Sequence, residues 1–414
     1  MKFFIGCSEI CGLVNIYASA LKRAGHSVTT YVESKNKFYP NEKYDVVANY
    51  WGNYLINRST DYPVDYSPGW INRLAFGLKI RSSIFDSIIE HRILDQHDVF
   101  IFIYAGIHTM RNGKDLRLLR KKGKKIISVL VGTDVRYAPA FGKEFNVDIT
   151  QWPKRYLGSY SSYNKVLRNV EEFSDVILSL PDQMSLAIRP YHHFQIPLEL
   201  GKYNFSYSQN DVPIIIHAPS NPAVKGTEII LNTLEQLKND GYKFETKFIQ
   251  NIPNHELIRV LSEGDILIDE LFAHGPGFLS FEAMASGCAV ATRFYKNSPN
   301  SFKPPVVNIS KQSIYDQLKQ LIADKEYRKN LVFESRSYVE KNNNADKIIH
   351  DILKLLRESM AYDYNPEYFK KEFSLPQNEK ITPMDKTLNE KMSRKWISDF
   401  SNYEQSMRSR QLIN

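Results

Sequence analysis

Two short segments in the second half of the chain combine residue types that bind phosphate groups. The first runs His217-Ala-Pro-Ser-Asn-Pro-Ala-Val-Lys225-Gly-Thr, and Lys225 directly precedes a predicted helix. From that position its ammonium can reach a phosphate above the end of the preceding strand, with Ser220 and Asn221 as further donors. The alternative interpretation is an ordinary strand-to-helix loop that carries a surface lysine.

The second segment, Gly275-Pro-Gly277-Phe278-Leu279, leads directly into another predicted helix. The backbone N–H groups of Gly277, Phe278 and Leu279 can bind an anion there, with help from the helix dipole. Glu282 lies in the second turn of this otherwise apolar helix, and its carboxylate would be costly to bury without a partner. The two hydroxyls of a ribose would satisfy it, whereas a Glu282 on the solvent side would need no ligand.

A third segment, Gln250-Asn251-Ile252, follows a predicted strand, and its backbone groups could contact the edge of a base. The sequence contains no Asp-x-Asp pair of the kind that holds a metal ion. Asp265 and Asp269 lie four residues apart within a predicted strand, which places both carboxylates on one face. No metal site is therefore predicted.

The first half of the chain contributes four candidates. Gly12 follows the first predicted strand, where a glycine lets an acceptor or a diphosphate approach the backbone. His108 follows another strand and would face a cleft, although a lone histidine is more often structural. Asp134 and Arg136 also follow a strand end, where they could hold an acceptor or pair with each other.

The hydrophobic pattern predicts a scaffold that brings these strand ends together. Predicted strands of the first half are 2–7, 27–33, 44–48, 99–105, 125–132 and 175–180, with helices at 13–24, 72–94, 114–122 and 163–173. Predicted strands of the second half are 213–217, 244–250, 265–271, 289–292 and 305–309, with helices at 227–239, 255–262, 278–286 and 312–323. Asn254 and Thr227 are the expected N-caps. Strands alternating with helices predict an α/β fold with parallel sheets covered on both faces.

The 414 residues are too many for one ordinary core, so two domains are predicted. Residues 1–200 form the first and 211–360 the second, joined by a polar linker at 201–211 and ending in a long helical region from 326 to 360. The tail, 361–414, is expected to be helical, and either to pack back on the first domain or to lie on a partner or a membrane.

The net charge of +8 predicts an anionic partner such as a nucleotide diphosphate or an anionic membrane surface. Basic residues are densest between Arg117 and Lys125. They suit either a solvated helix end or docking on a membrane that presents a lipid-linked acceptor. Nucleic acid is not expected, because aromatic residues are not interleaved with these basic ones.

The three cysteines give neither a disulfide framework nor a zinc-ligand spacing, which favours a reducing cytoplasm. The first 20 residues resemble a signal peptide, but Glu9 interrupts the apolar run, so a buried strand, loop and helix explain them better. No run reaches the roughly 18 apolar residues that span a bilayer.

Four segments carry a resemblance to a known family: HAPSNPAVKGTE, QNIPNHEL, SEGDILIDEL and GPGFLSFEAMASGCAV. Together, over about residues 211–300, they resemble the C-terminal domain of retaining glycosyltransferases of the GT-B fold, the family-4 group. The first half agrees more loosely, through the Gly12 loop, Lys22-Arg-Ala-Gly-His26 and Val131-Gly-Thr-Asp-Val-Arg136.

The resemblance implies two Rossmann-like domains that face each other across a cleft. It also implies that Lys225 neutralises the donor diphosphate, that Glu282 holds the ribose, and that the turn 275–278 contacts the sugar and phosphates. Such enzymes commonly carry a second glutamate eight residues before the first and often a histidine near the reacting carbon. Here those positions are His274 and His108, so both join Lys225 as catalytic candidates.

The implied reaction transfers a sugar from a nucleotide diphosphate sugar to a glycan or lipid-linked acceptor, with retention and without a metal or other cofactor. Surface polysaccharide or glycoconjugate synthesis is the usual setting, in the cytoplasm or at the inner face of the membrane. The alternative is a catalytically silent glycosyltransferase-like subunit that binds a sugar or a partner, and His274 in place of glutamate favours it.

Overall fold

The computed structural model describes residues 1–47, 95–103, 114–152, 160–183, 186–208, 210–295, 302–358 and 360–365, together with positions 387, 390, 391, 394 and 395. The predicted helix at 72–94, the candidate His108 and the rest of the tail lie outside the described residues.

The first half of the chain folds around a parallel sheet. Its described strands are Lys2–Cys7 (β1), Ser27–Val32 (β2), Val46–Val47 (β3), Val99–Ile103 (β4), Lys125–Leu130 (β5), Val176–Ser179 (β6) and His192–His193 (β7). They lie in the order β3-β2-β1-β4-β5-β6-β7. β4 reads Val-Phe-Ile-Phe-Ile and is buried along its whole length, as expected of a strand covered on both faces. The strand order reverses between β1 and β4, and ligands of such sheets bind beside this reversal, at the carboxyl ends of the strands.

Helices cover this sheet. They are Leu13–Arg23 (α1), Lys114–Lys121 (α2), Ala138–Phe145 (α3) and Tyr160–Phe173 (α4). α1 begins directly after Gly12, whose φ of 74° is left-handed and therefore favours glycine. The face of α1 that carries Leu13, Tyr17 and Leu21 is fully buried, which fixes the loop after β1 at the edge of the sheet where a ligand would bind.

The second half repeats the scheme on a smaller sheet. Its described strands are Ile214–His217 (β8), Glu245–Phe248 (β9), Ile266–Ile268 (β10), Ala289–Thr292 (β11) and Val307–Asn308 (β12). They are parallel, in the order β12-β11-β10-β8-β9. The helices are Pro222–Lys225 (α5), Thr227–Asn239 (α6), Asn254–Ser262 (α7), Phe278–Ser286 (α8), Ile314–Ala323 (α9), Lys325–Asn342 (α10) and Ala345–Leu355 (α11). Here the order reverses between β8 and β10, so the loops after these two strands meet.

The structure confirms the α/β class and corrects several details. The region 326–360 is two helices, because Asn344 accepts the N–H groups of Asp346 and Lys347 and starts α11. Both predicted N-caps were wrong: Gly226 precedes α6 and Pro253 precedes α7. Thr227 and Asn254 are instead the first residues of those helices.

The end of the second half packs on the first half. α11 lies against α1, and the Asn343 carbonyl accepts the Leu198 N–H at 2.7 Å. Further along, Tyr364 pairs with Tyr191 in an antiparallel bridge and is buried. Within the described residues, no helix combines the length and the apolar character needed to cross a bilayer.

Candidate functional site

A cavity of about 300 Å³ lies where the carboxyl ends of the two sheets face each other. The second half contributes the loops after β8, β9 and β10 and the start of α8. The first half contributes the loops after β1 and β2, together with apolar residues that follow β5, β6 and β7. Polar groups from these loops converge on an otherwise apolar wall, which is typical of a small-molecule site. The lining residues with polar side chains include Asn36, Tyr39, Ser220, Lys225, Gln250, Asn251, Asn254, Glu270 and Glu282.

Lys225 is the basic residue of this wall. It ends the short helix α5, which Asn221 caps by accepting the Val224 N–H at 3.2 Å. Its ammonium lies 2.8 Å from Asp269 Oδ1 and 3.0 Å from Glu270 Oε1. Burial alone would lower the pKa of Lys225, but these two carboxylates raise it above its ordinary value. The side chain is therefore a charged group whose position is fixed at the reversal between β8 and β10.

The start of α8 lies beside this ion pair. Gly277 precedes the first turn of the helix and lines the cavity with Phe278 and Leu279. A Cβ added to Gly277 would lie 2.8 Å from Glu270 Oε1. The absence of a side chain thus lets a carboxylate approach the helix N-terminus, where an anion is stabilised.

Glu282 is buried, with 5% of its surface exposed, which excludes the solvent-exposed alternative. Its Oε1 accepts hydrogen bonds from Asn254 Nδ2 at 2.9 Å and from the Tyr203 hydroxyl at 3.3 Å. Burial raises the pKa of Glu282 to about 7, although these two donors oppose the shift. Within the described residues both hydrogen bonds end on Oε1, so Oε2 is the atom that a ligand hydroxyl would use.

The turn after β9 brings Gln250, Asn251 and Ile252 to the same cavity as Lys225 and Glu282. Asn251 has a left-handed φ of 56°, which its short polar side chain tolerates. The structure thus brings together three separate sequence segments of the predicted donor site.

Other predicted residues lie elsewhere. Asn221 caps α5, as described, and the Tyr39 ring packs over Gly12. Asp134 accepts the Gly132 N–H at 2.8 Å and so shapes the loop after β5. These three residues have structural contacts that explain their residue types.

His274 belongs to a second ion cluster, formed with residues of the first half. Its Nδ1 donates to Asp182 Oδ1 at 2.8 Å and its Nε2 to Glu144 Oε2 at 2.9 Å. Arg136 binds the same Asp182 through two nitrogens, at 3.0 and 3.1 Å. Burial alone would lower the pKa of His274, but its two carboxylate partners raise it to about 9. His274 is therefore an imidazolium at neutral pH.

This second cluster lines a different space. His274 and Gly275 border a small cavity of about 40 Å³, and the imidazolium packs against Phe141 and Phe145 of α3, with ring centroids 5.4 and 5.3 Å away. The candidates Lys225 and His274 thus occupy different environments.

Sequence reasoning missed Glu270, Asp182 and Glu144. Glu270 is the last residue but one of the predicted strand 265–271, so an acidic residue near a strand end was the available signal. Asp182 and Glu144 are 92 and 130 residues away from His274 in the chain, and no local pattern connects them. Among the described residues, no group of three or more His, Cys, Asp or Glu side chains is arranged to hold a metal ion.

No protein-family model and no curated protein sequence matches the chain. Solved structures do match. Sucrose-phosphate synthase from Thermosynechococcus elongatus aligns with a TM-score of 0.57 at 13% identity, over 86% of this chain and 98% of that chain. An α-glucosyltransferase in complex with UDP and a 13-mer DNA containing an HMU base aligns with a TM-score of 0.52 at 11% identity, over 86% and 99%. The catalytic domain of starch synthase IV from Arabidopsis thaliana, bound to ADP and acarbose, aligns with a TM-score of 0.51 at 12% identity, over 86% and 98%.

The chain has the GT-B fold. At this level of identity the likeness is one of architecture, and it confirms the prediction of two Rossmann-like units in one chain. Each alignment spans nearly the whole of the other protein, so both sheets take part in it. The GT-B fold places the facing strand ends of its two sheets on one cleft, which is where the Lys225–Glu282 cavity lies.

Proposed function

We propose that the protein is a glycosyltransferase that moves a sugar from a nucleotide diphosphate sugar to an acceptor hydroxyl. The observation that carries the proposal is the convergence of Lys225, the N-terminus of α8 and Glu282 on one cavity. The first two groups suit a diphosphate by charge, and a buried carboxylate with a free oxygen suits a ribose diol. The UDP and ADP bound by two of the structural neighbours support a nucleotide donor.

In this proposal the base lies against the turn 250–252 and the ribose hydroxyls donate to Glu282 Oε2. The diphosphate lies between Lys225 and the backbone N–H groups of Gly277 and Phe278. Negative charge grows on the diphosphate as its bond to the sugar breaks, and fixed positive charge at that point lowers the barrier. We therefore propose that the reaction needs no metal ion.

The binding of a diphosphate changes the surroundings of Lys225. Its ammonium is now neutralised by Asp269 and Glu270, and a phosphate oxygen would compete with the Glu270 carboxylate. Asp269 is held by a second bond, from the Ser280 hydroxyl at 2.6 Å. We infer that Glu270 moves or becomes protonated on donor binding, while Asp269 keeps Lys225 in place.

We further propose that the transfer retains the anomeric configuration and that the acceptor is a glycan or a lipid-linked glycan, in surface polysaccharide or glycoconjugate synthesis.

A lipid-linked acceptor would be met at the cytoplasmic face of a membrane. In and just after α2, Arg120 pairs with Asp175 and Lys122 with Asp95, so membrane docking would use the exposed Arg117 and Lys121. Co-sedimentation with anionic vesicles should then fall in a Ser substitution of both residues.

A catalytically silent subunit is the alternative, and one observation favours it. Lys225 already has two carboxylate partners, and His274 is bound into a cluster that connects the two halves. A silent protein would bind a nucleotide without transferring its sugar.

The test is a thermal-shift screen of UDP, GDP, CDP and ADP against the wild-type protein, Lys225→Ala and Glu282→Ala. A nucleotide that binds the folded state raises the unfolding temperature, and saturation a hundredfold above Kd adds about 2.7 kcal/mol of stability. The account predicts a shift in the wild type that both variants reduce. Lys329→Ala, which removes an exposed lysine that pairs with its helical neighbour Glu326, is the matched control.

The shift is compared within each variant, with and without nucleotide, because both substitutions also change the stability of the empty protein. If no nucleotide shifts the wild type, the donor-site assignment fails. If one nucleotide binds but no corresponding sugar is hydrolysed or transferred, the silent alternative replaces the enzyme. The anomeric configuration of a product, read by NMR, decides between retention and inversion.

A further inference from the structure

A turn that follows β2 reaches from the first half of the chain to the cavity. In this turn, residues 36–39, the Asn36 side chain accepts the Phe38 N–H at 3.0 Å and donates to the Glu9 carbonyl at 3.3 Å. The Asn36 carbonyl also accepts the Tyr39 N–H at 3.0 Å. We call residues 36–39 the bridging segment. Its own hydrogen bonds and its attachment to the loop after β1 give it a defined conformation.

Two hydrogen bonds join the bridging segment to the second half. Lys37 Nζ donates to Asn251 Oδ1 at 3.0 Å, within the turn proposed to bind the base. The Phe38 carbonyl accepts the Asn254 N–H at 2.8 Å. Asn254 is the first residue of α7, and its N–H has no acceptor within the helix. The first half of the chain therefore supplies the cap that α7 needs.

Asn254 also connects the bridging segment to the proposed ribose site. Its backbone N–H binds Phe38, while its side-chain amide donates to Glu282 Oε1 at 2.9 Å. A shift of the bridging segment would therefore move the group that orients Glu282.

The aromatic side chains of the segment face the ligand space. Phe38 and Tyr39 line the same cavity as Gln250, Ile252 and Glu282, and both are only partly buried. The Tyr39 ring lies over Gly12, where an added Cβ would come within 3.2 Å of its Cε1. Burial, followed by the charge of Glu282, raises the pKa of the Tyr39 phenol, as expected if the two groups are close. Aromatic surface of this kind, beside the polar turn 250–252, suits a base or a ribose.

We propose that the bridging segment is part of the nucleoside site, with Phe38 and Tyr39 forming the wall against which the base and ribose pack. This inference rests on the proposed function and deepens it by making the site composite. The second half binds the diphosphate, and both halves bind the nucleoside. Lys37 is a positioning residue, since it acts through Asn251.

The experiment compares two probes, a nucleoside diphosphate and inorganic pyrophosphate. Pyrophosphate has only the part that Lys225 and α8 would bind, so it does not need the bridging segment. Phe38→Ala and Tyr39→Ala should each raise the Kd of the nucleoside diphosphate by about tenfold to a hundredfold. This is the loss of affinity expected for one aromatic contact with a base. The Kd of pyrophosphate should change by less than about twofold. Calorimetry with the full-length protein measures both constants.

Two further variants keep the test independent of folding. Lys37→Met removes the hydrogen bond to Asn251 and the contact of the ammonium with the Phe38 ring, whose centroid lies 4.8 Å away. It should weaken the binding of the nucleoside diphosphate severalfold without changing pyrophosphate binding. Phe333→Ala removes an exposed aromatic ring, 49% accessible on α10, and should change neither constant.

Each outcome decides a separate point. Unchanged nucleotide binding in Phe38→Ala and Tyr39→Ala, together with its loss in Lys225→Ala, would overturn the composite site and leave the proposed function intact. Equal loss of both probes in the bridging-segment variants would also overturn it, since the defect would then be general. Failure of the wild type to bind any nucleoside diphosphate would overturn the proposed function and this inference with it.

Discussion

Two buried ion clusters at the boundary between the halves of the molecule differ in charge balance and in what they face. In the first, the carboxylates of Asp269 and Glu270 both pair with the ammonium of Lys225, and Lys225 and Glu270 border the large cavity. The charge of Arg136 acts on Glu270 as well, but no direct ion pair joins them. In the second, Arg136 and His274 face Asp182 and Glu144, away from that cavity.

The balanced cluster needs no ligand. Arg136 and His274 hold the pKa of Asp182 well below its ordinary value, against the effect of burial, and the resulting pairs connect residues of both halves. The unbalanced cluster is different, because its excess carboxylate can be replaced when an anion arrives. We therefore propose that the Lys225 cluster binds the ligand and that the His274 cluster supports the contact between the two halves.

The largest effect is expected for Lys225→Ala. Loss of this ammonium removes a fixed positive charge from the proposed diphosphate site, and kcat/KM should fall by about 10²-fold to 10³-fold. Steady-state transfer from the nucleotide sugar found in the screen measures it. A decrease of less than about tenfold would contradict the assignment of binding to this cluster.

His274→Ala should act mainly on stability. Removing the buried imidazolium leaves the partly exposed Glu144 without this partner, while Asp182 keeps Arg136. The loss should cost about 1–3 kcal/mol of unfolding free energy. Denaturant titration measures the loss, and nucleotide Kd should stay within about twofold. The reverse pattern, intact stability with lost turnover, would make His274 a catalytic residue and contradict the structural role proposed for its cluster.

Glu270→Gln tests the Lys225 cluster by removing the charge of one of its carboxylates. A neutral amide cannot repel the diphosphate as a carboxylate does, so the affinity for the nucleoside diphosphate should rise by up to about tenfold. Asp269 still holds Lys225, so the variant should fold as well as the wild type. Glu144→Gln is the matched substitution in the second cluster, and it should leave nucleotide affinity unchanged. Calorimetric titration of both variants shows whether only one cluster is coupled to the ligand.

The smallest effect is a pH dependence from Glu282. Its pKa in the folded protein is raised from 4.5 to about 7, so its contribution to stability is greatest below pH 4.5 and is lost as pH rises through about 7. Ribose hydroxyls donate more strongly to the ionised carboxylate than to the protonated one, so nucleotide affinity should instead rise severalfold between about pH 6 and about pH 8. In Glu282→Gln this component should be absent, which separates it from ionisation of the nucleotide itself. An identical pH profile in both proteins would contradict the role of Glu282.

The sequence predicted the helices and strands that a local residue pattern defines. The bounds of α6, α8 and β11 were predicted correctly, because apolar periodicity and flanking glycines define them. Gly226 and Gly287 have φ angles of 75° and 107°, which end the preceding helices where a side chain would be strained. Glu282 lies in α8 and Lys225 lies two residues before α6, and so both donor-site candidates could be found without a structure.

Helices and side-chain roles that depend on contacts between residues far apart in the chain could not be predicted. α3 was missed because Pro139 and Gly142 argue against a helix, yet Phe141 of α3 packs against Trp152 and His274. Asn254 was expected to cap its own helix, but its amide is used by Glu282 and its N-H by Phe38. The surroundings of His274 and the bridging segment arise only when both halves are in place.

The most direct test of the central claim is hydrogen exchange with and without a saturating nucleoside diphosphate. The account predicts slower exchange at the first turn of α8, from Gly277 to Leu279, and in the turn 250–252. It predicts little change around His274, whose cluster does not face the ligand. Protection confined to the His274 cluster or to surfaces outside the cavity, with none at α8, would contradict the account.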